Sequence, residues 1–205
     1  VIKLYNISGI ASAKNPETKK EMSLAEFSNT AASLPLTFEP GTKWNYSISI
    51  DILGRIIEVI SGQKLDDFLK ENIFKPLNMI DTDFYVPEDK HHRFVDCYQE
   101  LVSKTGNKLK RCYKGGEDIF SKKRNFLSGG GGLCSTLADY ANFCQMILNE
   151  GYFDGKQLLS PITVRFMREN HLPNNQTMSE MGDDNFSEVR YDGAGFGLGF
   201  SSLID

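Results

Sequence analysis

The stretch Phe38-Glu39-Pro40-Gly41-Thr42-Lys43-Trp44-Asn45-Tyr46-Ser47-Ile48-Ser49-Ile50-Asp51-Ile52-Leu53-Gly54-Arg55 decides how the rest of this chain is read. It begins with a Pro-Gly turn, continues as a short extended piece carrying the only Trp, and passes into a helix at the serines. Tyr46 then stands at the mouth of a helix N-terminus. The positive end of a helix dipole favours a phenolate and lowers a pKa that is otherwise about 10. A tyrosine so placed is a candidate base. A plain packing role beside Trp44 is the other reading of the same spacing.

Working outward, the helix over residues 49–60 presents Ile52, Leu53, Ile56, Ile57 and Ile60 at helical spacing. Most of its circumference is apolar, so it belongs inside a larger body. Ser61-Gly62 ends it, with the glycine as left-handed cap. A second helix over 65–74 buries Leu65, Phe68, Leu69 and Ile73 and stops ahead of Pro76. Upstream, Ser23 with Glu26 forms a capping-box pattern before a helix carrying Leu24, Phe27 and Ala31.

Downstream, residues 93–103 and 108–113 read as a hairpin around Lys104-Thr105-Gly106-Asn107. The run Ser128-Gly129-Gly130-Gly131-Gly132-Leu133-Cys134-Ser135-Thr136 follows. Consecutive glycines are costly to order, so they mark backbone passing close to something else. The Walker Gly-Lys-Ser/Thr ending is missing, which argues against a phosphate cradle. Thr136 with Asp139 caps a helix whose inward residues are Leu137, Tyr140, Ala141, Cys144, Ile147 and Leu148. Asp154-Gly155 makes a tight hairpin turn, and Ser160-Pro161 starts another helix. Residues 174–191 are polar and read as a flexible loop, and 196–205 read as a strand in need of a partner.

The 205 residues suit one sizeable domain, or two small ones, and 40% hydrophobic with 24% charged residues is ordinary for a soluble globular protein. A net charge of −4 and an interleaved Lys-Arg cluster around residues 108–124 give no nucleic-acid face. No apolar run approaches the roughly 20 residues that span a bilayer, so no membrane partner is expected. His91, His92 and His171 lack ligand spacing to any cysteine, so neither metal nor cofactor is expected. Cys97, Cys112, Cys134 and Cys144 read as free thiols, Cys134 and Cys144 in apolar settings, which favours a cytoplasmic over a periplasmic compartment. A Cys97–Cys112 bridge across the hairpin is the open alternative. Val1-Ile2-Lys3-Leu4-Tyr5 opens in what reads as mid-helix, so the expectation is a single partial domain, residues 1–205, of a longer protein.

Residues 40–55, followed by Glu58-Val59-Ile60-Ser61-Gly62, closely resemble the segment around the catalytic tyrosine of serine β-lactamase-like hydrolases. The likeness is to the class C β-lactamase and family VIII carboxylesterase branch. Ile73-Phe74-Lys75-Pro76-Leu77-Asn78-Met79-Ile80-Asp81-Thr82 resembles that family's Phe-x-Pro-Leu-Gly-Met-x-Asp-Thr stretch, with Asn78 in the place of the usual Gly. Residues 128–140 are similar to a third block, and Leu4-Tyr5-Asn6-Ile7-Ser8-Gly9-Ile10 loosely to a fourth. The resemblance implies an α/β (α+β) fold of the β-lactamase/transpeptidase type, here mainly its helical region with short antiparallel strands.

It also implies a chemistry. In that family a Ser and a Lys lie one helical turn apart, a tyrosine completes the proton-transfer set, and the serine attacks a carbonyl to give an acyl-enzyme. The residue carried over is Tyr46, as the catalytic tyrosine. Ser61-Gly62-Gln63-Lys64 matches Ser-x-x-Lys by letters, but Gly62 ends a helix there and the match follows the tyrosine. Lys104-Thr105-Gly106 matches the family's wall strand by letters, yet fits a turn. Both are read as chance, with the nucleophile upstream of Val1 and the wall strand downstream of Asp205. Where β-lactamases carry Tyr-x-Asn, position 48 is Ile, which cannot make the amide's hydrogen bonds. The expected function is therefore a serine hydrolase of the esterase-like kind acting on small-molecule esters, or amides, with a non-catalytic binding or structural module of the same fold as the alternative.

Overall fold

The computed structural model describes residues 2–102, 106, 108–113, 119–182 and 193–204. Seven helices and three separate antiparallel hairpins appear among them. Helix α1 spans Ile2–Ser8 and α2 spans Leu24–Ala32. The α2 start follows the capping-box reading: Glu26 N donates to Ser23 Oγ and the Glu26 carboxylate accepts from Ser23 N. Helix α3 covers Ser49–Ser61 and is closed by Gly62 at φ 70°. Helix α4, Leu65–Leu69, widens into a π turn over Lys70–Phe74, which brings Phe74 into the core.

Helix α3 packs on both α2 and α4. Gly54 lets them come close: an added Cβ there would lie 2.8 Å from Leu65 Cδ2 and 3.3 Å from Leu24 Cδ2. Three apolar clusters follow from that arrangement. One holds Ile10, Ala13, Met22 and Phe27, another Leu24, Leu65, Phe84 and Leu127, and the third Phe74, Leu77, Met79 and Met146.

The hairpins are β1 Cys97–Leu101 with β2 Lys108–Tyr113, β3 Tyr152–Phe153 with β4 Lys156–Gln157, and β5 Ala194–Phe196 with β6 Ser201–Leu203. Asp154 at φ 44° and Gly155 at φ 80° make the β3–β4 turn as read from sequence. The remaining helices are α5 Leu137–Leu148, α6 Pro161–Arg168 and α7 Met178–Met181. Thr136 and Ser160 cap α5 and α6 by accepting from Asp139 N and Thr163 N.

Four expectations are corrected. The buried stripe of α5 is Asp139 and Met146, flanked by half-buried Asn142, Phe143 and Ile147. Leu137, Tyr140, Ala141, Cys144 and Leu148 are exposed. Helical spacing allowed either face, and the polar anchors decided it: Asp139 accepts from Asp81 N and Thr82 Oγ1, and Asn142 Nδ2 donates to Leu77 O. On α3 the buried positions are Asp51 and Gly54, while Leu53, Val59 and Ile60 stand 51%, 64% and 81% exposed. The segment expected to be a loop contains α7, with a Thr177–Glu180 capping box and with Met178 and Met181 buried; residues 183–192 lie outside the described set. The terminal strand finds its partner locally, because Gly197 N donates to Phe200 O and turns β5 back onto β6. The four cysteines are free thiols, Cys97 and Cys112 among them.

Candidate active site

The Tyr46 segment is held from both sides. Ahead of it, Trp44 forms a parallel bridge with Gly182, its N–H donates to Met181 O, and its ring meets Phe196 edge-on at 5.6 Å. Behind it, Ile48 packs against the cluster of Ile10, Ala13, Met22 and Phe27. Between these anchors Ser47 Oγ and Ser49 Oγ lie 2.6 Å apart, and Ser49 N donates to Ser47 Oγ. Tyr46 itself is 67% exposed at the entrance to α3, and its hydroxyl has no hydrogen-bond partner among the described residues. The backbone is fixed and the phenol faces outward.

Helix α3 is locked from below by its own first turn. Asp51 is buried, and its Oδ1 accepts from Ser128 Oγ at 2.6 Å and from Gly130 N at 3.2 Å. Ser128 Oγ in turn accepts from Gly131 N at 3.1 Å. The Gly-rich turn therefore wraps the helix start closely, as its composition implied. A Cβ on Gly129 would meet Ile50 O at 2.6 Å, and one on Gly130 would meet Asp51 Oδ2 at 3.3 Å. A hollow of about 360 Å³ opens beside this contact, lined in part by Ile48, Asp51, Ser128 and Gly131. Spacing alone gives Asp51 no role. The available signal was an acid in the first turn of a helix beside a Ser-Gly-Gly run.

The blocks at 73–82 and 128–140 meet through the same kind of contact. Thr82 Oγ1 lies 2.8 Å from both Ser135 Oγ and Asp139 Oδ2, and Asp83 pairs with Cys134 as an isolated bridge. Asn78 adopts φ 53°, the conformation for which glycine is the easiest residue and asparagine a good second. Asp81 accepts from Lys90 at 2.6 Å and pairs with Arg93 at 2.8 Å. The Lys90 hydrogen bond, with that of Arg93, holds its carboxyl below the usual aspartate range.

The Ser61-Gly62-Gln63-Lys64 letter match does not build a Ser-x-x-Lys turn. Ser61 Oγ donates to Ile57 O within α3, and Lys64 is extended at φ −68°, ψ 151°, so the two do not share a helical turn. Lys104 and Thr105 lie outside the described residues. The rings of His91 and His171 each pair with a backbone carbonyl, of Val86 and Phe166.

Comparison with known proteins places this geometry. The Beta-lactamase family model matches residues 8–203. Protein Rv1367c of Mycobacterium tuberculosis is 34% identical over 85% of this chain and 41% of its own length. Lovastatin esterase of Penicillium rubens is 32% identical over 77% of this chain and 37% of its own length. The structure of EstCE1, described as a hydrolase with promiscuous acyltransferase activity, superposes with a TM-score of 0.69 at 21% identity, covering 91% of this chain and 47% of that one. The last likeness shows a shared β-lactamase/transpeptidase-like fold. The chain spans about two fifths of the length of these curated relatives. With the family model running through the tyrosine segment, the Gly-rich turn and all three hairpins, this chain belongs to the Beta-lactamase family.

Proposed function

We propose that this chain is the tyrosine-bearing part of a serine hydrolase that cleaves small esters through an acyl-enzyme, with Tyr46 in the proton-transfer set. The observation that carries the reading is the placing of Tyr46, a phenol 67% exposed on backbone anchored by Trp44 and Ile48 on either side. An aromatic side chain ordinarily buries its ring, and here the fold keeps it facing outward. Membership of the family and likeness to an esterase support the same reading.

In this reaction a serine outside residues 1–205 attacks the ester carbonyl. Its hydroxyl proton passes to the Tyr46 oxygen, the serine O–C bond forms, and the alkoxy C–O bond breaks as the departing alcohol takes that proton back. Water then releases the acyl group by the same route. Esters are favoured over β-lactams because Ile48 is committed to the apolar core and offers no amide at the site. An alkoxide also needs less help from a proton donor than an amine does.

The test uses the intact gene product. A fluorophosphonate probe labels one serine, and Tyr46→Phe lowers the turnover of a short p-nitrophenyl ester by about 10² or more. Full activity in Tyr46→Phe sinks the assignment. The absence of any labelled serine favours the binding-module alternative, which Ile48 and the unstacked Ser61 and Lys64 also suit.

A further inference from the structure

Away from Tyr46 an open cleft of about 1250 Å³ lies between the π turn after α4, the 79–83 segment, the 3-10 turn Glu88–Arg93 and the start of α5. Ordinary ligand pockets measure roughly 300–1000 Å³. Its interior is apolar, with Phe74, Phe94, Phe120 and Leu133 on the walls and the Phe94 and Phe120 rings edge to face at 6.4 Å. Ile80, Val95 and Leu137 border it at 74%, 80% and 93% exposure, leaving apolar surface open to solvent along the mouth. Such contiguous apolar surface marks an interaction site.

The charge around it has the opposite sign to the chain. The sequence carries a net −4, yet among the described lining residues Lys70, Lys75, Lys90 and Arg93 stand against Asp81 and Asp83. Lys90 and Arg93 share the single carboxylate of Asp81, leaving one positive charge in excess. Lys75 pairs with Glu71, while Lys70 has no ion-pair partner among the described residues. Asp83, the remaining acid, accepts a hydrogen bond from Phe84 N at 2.7 Å. A largely apolar hollow with cations in its lining complements a molecule with a hydrocarbon chain and one anionic head.

We propose that this cavity binds a long-chain carboxylate, its hydrocarbon chain along Phe74, Phe94, Phe120 and Leu133 and its carboxylate at Lys70 and the Lys90–Arg93 edge. Tyr46 does not line the cavity, so the inference stands apart from the catalytic reading. The apolar wall sets a dependence on chain length, and the cations set a preference among head groups.

Calorimetric titration of the intact gene product with sodium decanoate, sodium dodecanoate, dodecyl maltoside and dodecyltrimethylammonium, each below its micellar concentration, tests both. Dodecanoate is expected to bind about tenfold tighter than decanoate, from two added methylenes. It should bind tighter than either of the other dodecyl compounds. Lys70→Glu should weaken dodecanoate several-fold with an unchanged melting temperature, and Tyr46→Phe should leave its affinity unchanged. Equal affinity for the three head groups overturns the charge argument. No binding of dodecanoate overturns the proposal, and loss of binding in Tyr46→Phe places the ligand at the tyrosine and overturns it too. The first result leaves the ester-hydrolysis reading untouched, and the second ends this proposal while keeping Tyr46 at a ligand site.

Discussion

Asp51 Oδ1 accepts a 2.6 Å hydrogen bond from Ser128 Oγ, a residue 77 positions further along the chain. That one contact ties the helix that starts after Tyr46 to the Gly-rich turn. Removing the acid takes the acceptor from half-buried Ser128 Oγ and from Gly130 N, which is exposed, and empties the buried Asp51 position. Asp51→Ala is therefore expected to lower stability by about 1–3 kcal/mol, read as a shift of the urea midpoint at constant slope. Asp51→Asn keeps one acceptor and should lose less. Equal midpoints for Asp51→Ala and the parent would mean that the contact contributes nothing.

Two neighbouring glycines should respond differently to the same change. An alanine at Gly129 drives its Cβ to 2.6 Å from Ile50 O, a backbone atom that cannot step aside. The expected cost is about 1–3 kcal/mol, as for other forced overpacking. At Gly131 nothing lies within 4 Å and the backbone is not left-handed, so alanine should be tolerated within about 0.5 kcal/mol. Thermal unfolding of the two variants side by side decides it, and a similar loss in both would contradict the packing account.

Asn78 occupies a left-handed backbone position at φ 53° between the buried side chains of Leu77 and Met79. Its conformation sets the cost of replacement. Asn78→Ala should destabilise by about 1–2 kcal/mol, and Asn78→Gly should be neutral or better. The order of melting temperatures, glycine at or above asparagine and alanine below both, is the outcome to look for.

Glu21 joins the loop before α2 to the segment before the Gly-rich turn. It accepts from Arg124 Nε at 2.6 Å and from Asn125 N at 2.8 Å. Burial works against its ionisation, but the Arg124 hydrogen bond and charge and the Asn125 N–H prevail and hold its carboxyl below the usual value of 4.5. A depressed carboxyl stabilises the fold above its unfolded pKa, and that contribution fades as pH falls below 4.5 through the folded value. Melting curves between pH 6 and about pH 3 should thus fall less steeply in Glu21→Gln than in the parent. Parallel curves would show that the pair is not coupled to folding.

Much of the local structure was legible because its causes are local. The capping box at Ser23 and Glu26, the glycine stop at Gly62, the Asp154-Gly155 turn and the Ser160-Pro161 start each satisfy their backbone groups within a few residues, so spacing alone reveals them. The order of the blocks around Tyr46 was equally visible and pointed to the family. The short helix at Met178–Met181 was missed because polarity outweighed a Thr-x-x-Glu cap and two methionines three residues apart.

The sequence by itself determined where α2, α3, α5 and α6 start, the proximity of Tyr46 to a helix mouth, and the need of the glycine run for a close neighbour. Only the tertiary structure decided which neighbour that was, because Ile50 O and the Asp51 carboxylate reach the Gly-rich turn across the fold. It also decided which face of α5 turns inward. The periodicity of an apolar helix allows more than one stripe, and the choice fell to Asp139 and Asn142, whose buried polar groups find partners in the 77–82 segment. A helix's own residues carry its register, but the hydrogen bonds that orient it come from chain far away in sequence.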